Sequence, residues 1–169
     1  MATQAHQALQ KWQRIELLVQ QWLNERQQLI TLLNSLPPLI ASNAQRNPLP
    51  QRIQEFCQLL MDYISAGYFE IYRELAEEAR CLRRNNGLDA SVLKRLDIST
   101  DAALSFNDDF DTPEHIRILQ NRLPQRLADL RSKLQERFAL EDQLIVSIHH
   151  RTSSGADHRR AATPAYRMH

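Results

Sequence analysis

The sequence predicts an all-α fold, an antiparallel bundle of four main helices with a flexible C-terminal tail. Three observations carry that prediction. Only 3 of 169 residues are glycine, while the strong helix formers Gln, Leu, Arg, Glu and Ala abound. Apolar residues recur at alternating spacings of three and four over long stretches. Those stretches are separated by proline or glycine signals, and no strand-like alternation intervenes.

The first helix is expected from His6 to about Leu36. Its apolar positions are Trp12, Ile15, Val19, Trp22, Leu29, Leu33 and Leu36. With Arg26 in the gap, they make an unbroken heptad-like seam, widened by Leu18 and Leu32. "SLPPLIASNAQRNPLPQ" should end it at Pro37 and Pro38, with Pro48 and Pro50 priming the next start. The second helix should run from about Pro50 to Arg84 on the stripe Ile53, Cys57, Leu60, Ile64, Gly67, Ile71 and Leu75. Asn86 and Gly87 in "RRNNG" suit a left-handed C-terminal cap.

Asp89 to Phe110 is the weakest pattern and reads as two short helices or one broken one, with Ser99 or Thr100 as a cap. Thr112-Pro113-Glu114 is a start signal. Pro124 should separate a short helix ending near Asn121 from a long last helix. That helix carries Leu127, Leu130, Leu134, Arg137, Glu141, Leu144 and Ile148 in seam spacing. The bundle domain is accordingly 1–150. Residues 151–169, "RTSSGADHRRAATPAYRMH", lose all periodicity and form the expected tail.

Composition excludes several function classes. A hydrophobic content of 43% with 24% charged residues fits a globular chain rather than a disordered one. The net charge of +1 supplies no bulk field toward nucleic acid or membrane. "MATQAHQALQKWQ" has no continuous apolar run, so neither a signal peptide nor an anchor is expected, and the cytoplasm is the expected compartment. Cys57 and Cys81 read as reduced, buried small hydrophobes. Inward Glu-x-x-His pairs, phosphate-cradling glycine loops and nucleophile elbows are all missing, so no enzyme, cofactor or metal is expected. His6, His115, His149 and His150 fall near helix ends, not mid-helix as phosphotransfer requires. Arg80, Arg83 and Arg84, with Arg151, Arg159, Arg160 and Arg167 of the tail, are interleaved with acids and read as solvated faces rather than a nucleic-acid site.

Two features of the seams ask for an explanation. Arg26, Arg137 and Glu141 occupy apolar positions, and Arg137 and Glu141 are four apart, on one helix face. A buried charge persists when paired, so Arg26 should meet an acid from a facing helix. A structural ion network that fixes helix register is the preferred reading over an active site. In "DYISAGYFEIY", Gly67 falls on the core stripe, where a missing side chain admits a close neighbour. Phe69 falls about 140° from Ile64, beside Asp62, Ser65 and Arg73. An outward phenylalanine needs a cover, which is either a surface loop or a partner protein.

"LVQQWLNERQQLI" (Leu18 to Ile30), "FCQLLMDYISAGYFEIY" (Phe56 to Tyr72) and "ERFALEDQLI" (Glu136 to Ile145) together resemble the Rsd/AlgQ family of bacterial regulators of sigma D. The resemblance spans roughly 6–150 and loosens from Asn85 to Gln125. It implies a helical bundle that binds the primary sigma factor of RNA polymerase as an anti-sigma factor. It places the sigma contacts on Asp62, Ser65, Phe69 and Tyr72. It also implies that the partner element is the C-terminal helix-turn-helix domain of sigma, which reads the −35 promoter element. That module is basic, so an acidic-aromatic helix face suits it, and Glu55, Glu70, Glu74, Glu77 and Glu78 lie on the same helix. Without the resemblance, the residues describe a helical interaction protein with some other regulatory partner.

Overall fold

The computed structural model describes residues 1–74 and 90–160, with the side chains of 90 and 147–160 left aside. Leu75, Glu77, Glu78, Arg80, Cys81, Arg83, Arg84 and the Asn86-Gly87 cap lie outside the described residues. The side chains of Ile148, His149 and His150 and those of the tail arginines lie outside them too.

α1 spans Ala2–Ala41 and buries Ile15, Val19, Trp22, Arg26, Leu29, Leu33 and Leu36. Pro37 and Pro38 do not end it, contrary to expectation; the helix runs through both. A proline forfeits the hydrogen bond to the carbonyl four residues back, and for Pro37 that carbonyl is Leu33 O. Arg131 supplies a donor in its place: Nη2 lies 3.4 Å from Leu33 O, and Nη1 bonds Asn34 Oδ1 at 2.7 Å. Asn47 then bonds Leu39 O at 2.7 Å and Ser42 O at 3.3 Å, closing the C-terminal turn. The other face of Asn47 accepts from Leu49 N at 3.1 Å, so one side chain ends α1 and starts α2.

α2 spans Leu49–Ala66 with Pro50 in its first turn. It buries Ile53, Phe56, Cys57, Leu60, Tyr63 and Ile64. At Gly67–Ile71 the helix widens into a π-turn, in which Tyr72 N bonds Gly67 O, and helix resumes at Tyr72.

α3 spans Ala90–Phe110 without a break. The expected interruption fails because Ser99 is itself buried in the seam, completing the series Leu96, Ser99, Ala103, Phe106 and Phe110. Ser99 and Thr100 cap nothing; their hydroxyls bond Leu96 O within the helix at 2.7 and 3.2 Å. α4, Pro113–Leu119, starts at Thr112, whose Oγ1 accepts from His115 N at 3.2 Å. A 3₁₀ turn, Gln120–Arg122, leads to α5, which begins at Leu123 as Pro124 suggested. The helical backbone of α5 continues to Arg160, past the expected boundary at 150.

The long helices pair antiparallel throughout. Leu39 faces Asn47 while Arg14 faces Glu74, so α1 and α2 run oppositely. Cys57 faces Phe110, and Phe56 packs edge-on against Phe106 at 5.7 Å, joining α2 to α3. Arg95 meets Glu136 at one end of the α3–α5 pair, and Arg126 meets Asp109 at the other. Arg131 against Asn34 and Arg26 against Asp142 set α5 beside α1. A four-helix ring in this order closes around one continuous apolar core.

Candidate binding face and the buried network beneath it

The seam charges converge on one carboxylate. Glu141 of α5 has no solvent exposure, and neither has Arg137 one turn before it. Arg137 Nε lies 2.7 Å from Glu141 Oε1. From α1, Arg26 Nη2 bonds Glu141 Oε2 at 3.0 Å, and Nη1 pairs with the exposed Asp142. From α2, the Tyr63 hydroxyl donates to Oε2 and accepts from Arg26 Nε at 3.0 Å. Just past the π-turn, the Tyr72 hydroxyl donates to Oε1 at 3.1 Å. Arg137 Nη1 reaches α3, bonding Ser99 Oγ at 2.9 Å, Thr100 Oγ1 at 2.8 Å and Leu96 O at 3.3 Å.

Rings cover the charges. The Arg26 guanidinium lies 5.5 Å from the Trp22 ring centre and 5.0 Å from that of Phe138, and Arg137 lies 5.7 Å from that of Tyr72. Burial is the largest influence on Glu141 and pulls its carboxyl above the usual range, against Arg137, Tyr63 and Arg26, which pull it down. Burial also raises both tyrosines, and the nearby Glu141 charge raises them further, so their hydroxyls stay protonated donors. Three hydrogen bonds, from Arg26, Tyr63 and Tyr72, and the charge of Arg137 hold this enclosed carboxylate, which suits a structural joint.

Above the network, the π-turn makes a bare aromatic patch. Phe69 is 69% exposed and Tyr68 50%, their rings edge-to-face at 5.5 Å. Asp62 and Ser65, on the preceding turns of α2, are exposed as well. Tyr72 is not part of this surface: it is 5% exposed, with its ring edge-on to Trp22 at 6.1 Å. The reason is the π-turn. One extra residue in the turn sets Tyr72 about where an unbroken helix would set position 71, on the core stripe.

Gly67 faces inward, and a Cβ there would lie 3.0 Å from Trp22 Cζ2. The indole that occupies this space also donates from Nε1 to Tyr63 O at 3.3 Å and stacks on the Tyr63 ring at 5.1 Å. One side of the patch is acidic. Glu25 of α1 has a carboxyl raised by its partial burial and then by the charges of Asp62 and Glu70. Three acids from two helices therefore interact with one another on the side of the patch. Glu55 and Glu74 are compensated locally, Glu55 by Arg52 at 3.2 Å and Glu74 by Arg14 at 3.2 Å.

Sequence reasoning missed Tyr63, Tyr68 and Glu25. Tyr63 stood next to the core stripe, and a buried tyrosine near two seam charges signals a hydroxyl donor. Glu25 gave no signal, since its electrostatic interaction with Asp62 spans two helices. Cys57 is a buried hydrophobe whose thiol donates to Phe110 O at 3.8 Å and is pushed up to about 12, by burial first and then by Asp111. Among the described residues no cluster of His, Cys, Asp or Glu could hold a metal, and no helix is long and apolar enough to cross a membrane.

Known proteins are similar to this chain over most of its length. A regulator of sigma D from Salmonella paratyphi A is 31% identical over 149 residues, covering 86% of this chain and 90% of its own length. One from Yersinia enterocolitica is 28% identical over 130 residues, covering 76% of this chain and 78% of its own. One from Yersinia pseudotuberculosis serotype O:1b is 29% identical over 130 residues, covering 76% and 77%. No solved structure matches the chain significantly. The family profile described as regulator of RNA polymerase sigma(70) subunit, Rsd/AlgQ, matches residues 1–149, and the chain belongs to that family.

Proposed function

We propose that this chain is an anti-sigma regulator, acting without catalysis in the cytoplasm. It binds the C-terminal, −35-reading domain of the primary sigma factor and so reduces that factor's use by RNA polymerase. The contact face is α2 and its π-turn, with Asp62, Ser65 and Phe69 as contact residues and Tyr68 beside them. The observation that carries this reading is Phe69: a large apolar ring, 69% exposed, on the helix that carries Asp62 and Glu70, whose charges also raise the carboxyl of Glu25 on α1. An aromatic anchor on an acidic helix face fits a basic helix-turn-helix module, with the ring supplying affinity and the acids supplying orientation and encounter rate. Neither nucleic acid nor a cofactor has a role in this contact.

Titration calorimetry of the full chain with the isolated sigma domain tests it. Phe69→Ala should leave the circular dichroism spectrum and melting temperature near those of the parent. Binding should weaken by about 2 kcal/mol, roughly thirtyfold, the scale of a central aromatic truncation. Asp62→Asn should weaken binding by less. A folded Phe69→Ala protein that binds as tightly as the parent would remove this face from the contact.

A further inference from the structure

Three long helices meet at one buried carboxylate, the fourth is tied to it through Arg137, and two of its ligands bracket the π-turn. Tyr63 lies one helical turn before Gly67, and Tyr72 follows Ile71 directly. In an unbroken α-helix, residues nine apart point about 180° from one another. The extra residue of the π-turn removes about 100° of that rotation, bringing both hydroxyls to one side. Each then reaches a different oxygen of Glu141, Tyr63 at Oε2 and Tyr72 at Oε1. The π-turn and the double grip are therefore mutually dependent. An α-helical turn in its place would carry Tyr72 off the carboxylate and rotate every residue after the turn.

Glu141 is in turn held from the remaining helices. Arg26 of α1 bonds one oxygen, and Arg137, itself tied to Ser99 and Thr100 of α3, pairs with the other. The residues inside the bracket are Gly67, Tyr68, Phe69, Glu70 and Ile71. Gly67 is pressed against Trp22, whereas Tyr68 and Phe69 project outward.

We infer that Glu141, acting through the hydroxyls of Tyr63 and Tyr72, is a positioning residue for the binding face: it holds the π-turn that presents Tyr68 and Phe69. This rests on the reading of that face as the sigma contact. Glu141 itself touches no partner, being enclosed beneath the helix that does.

Tyr72→Phe deletes one hydroxyl and keeps the ring against Trp22. Ser99→Ala is its control, because it removes a bond to Arg137 in the same network on the side away from the face. Two quantities are measured on each full-length chain well below its melting temperature. The first is amide hydrogen exchange across 67–72, where the Tyr72 amide reports the π-turn bond to Gly67 O. The second is affinity for the sigma domain.

With Tyr72→Phe, exchange across 67–72 should rise about tenfold while the α3 and α5 core stays protected, the mark of local opening. Affinity should fall about tenfold, and Ser99→Ala should leave both quantities near the parent values even if it melts earlier. Parent-like exchange in Tyr72→Phe, or equal loss of affinity in both variants, would overturn the inference. Should Tyr72→Phe not fold, Tyr63→Phe is judged by the same criteria. A parent chain that fails to bind the domain would overturn the partner reading alone, and the exchange comparison would still decide the grip on the turn.

Discussion

Gly67 is small because Trp22 occupies the space a side chain would need, and the same indole is bonded to Tyr63 O and stacked on its ring. Gly67→Leu should therefore lower stability by about 2 kcal/mol, the usual cost of overpacking a close contact. A denaturant melt compared with the parent checks this. At Arg137 the stakes are electrostatic. Removing its guanidinium leaves Glu141 buried with a partner missing and strips a donor from Ser99 and Thr100. Arg137→Ala should cost on the order of 3 kcal/mol. An unchanged melting temperature would show that the network contributes nothing net.

Elements here are shaped by what other elements offer them. α1 passes Pro37 because Arg131 of α5 donates to Leu33 O, the acceptor that the proline cannot serve. Arg131→Ala should cost about 1 kcal/mol, the scale of one hydrogen bond to an otherwise unserved carbonyl. Amide exchange should then quicken in the last two turns of α1 ahead of the rest of the bundle. Uniform exchange along α1 would remove this role from Arg131. α3 stays whole for a related reason. Ser99 would interrupt an apolar seam by type, yet Arg137 reaches across from α5 and makes a buried hydroxyl useful there. Both elements were misjudged from sequence because the compensating donor lies roughly forty to a hundred positions away along the chain.

At the scale of the whole molecule, a net charge of +1 hides a local acidic patch. Glu25 joins Asp62 and Glu70 across two helices, and its carboxyl is raised by partial burial and by those neighbours. A basic partner would favour the ionised form, so the complex holds fewer protons than the free chain. Affinity should then rise with pH through the range just above the ordinary carboxylate value and level off beyond it. Glu25→Gln should flatten that rise, and in the parent added salt should weaken the complex. Calorimetry in buffers of differing ionisation heat would read the released proton directly; its absence would separate Glu25 from the contact. For stability alone the sign reverses. The folded chain keeps this proton to higher pH than the unfolded chain, so the contribution is present below the ordinary value and lost as pH rises through the raised one.

By itself, the sequence determined the helical class, the seams and their charged positions, the start at Thr112 and the restart beside Pro124. Each of these rests on spacing or capping within a few residues, where local sterics and burial periodicity decide. It also set Gly67 inward and Phe69 outward, since both lie close enough to Ile64 for helical geometry to carry the phase. Tyr72 lay beyond that reach. The π-turn shifted the phase between Gly67 and Tyr72, turning the tyrosine inward to Glu141. Which acid meets Arg26, what lets a helix cross two prolines, and which acids interact across α1 and α2 were settled between helices. Those choices depend on donors and charges brought within a few ångströms by folding, and no periodicity along one helix contains them.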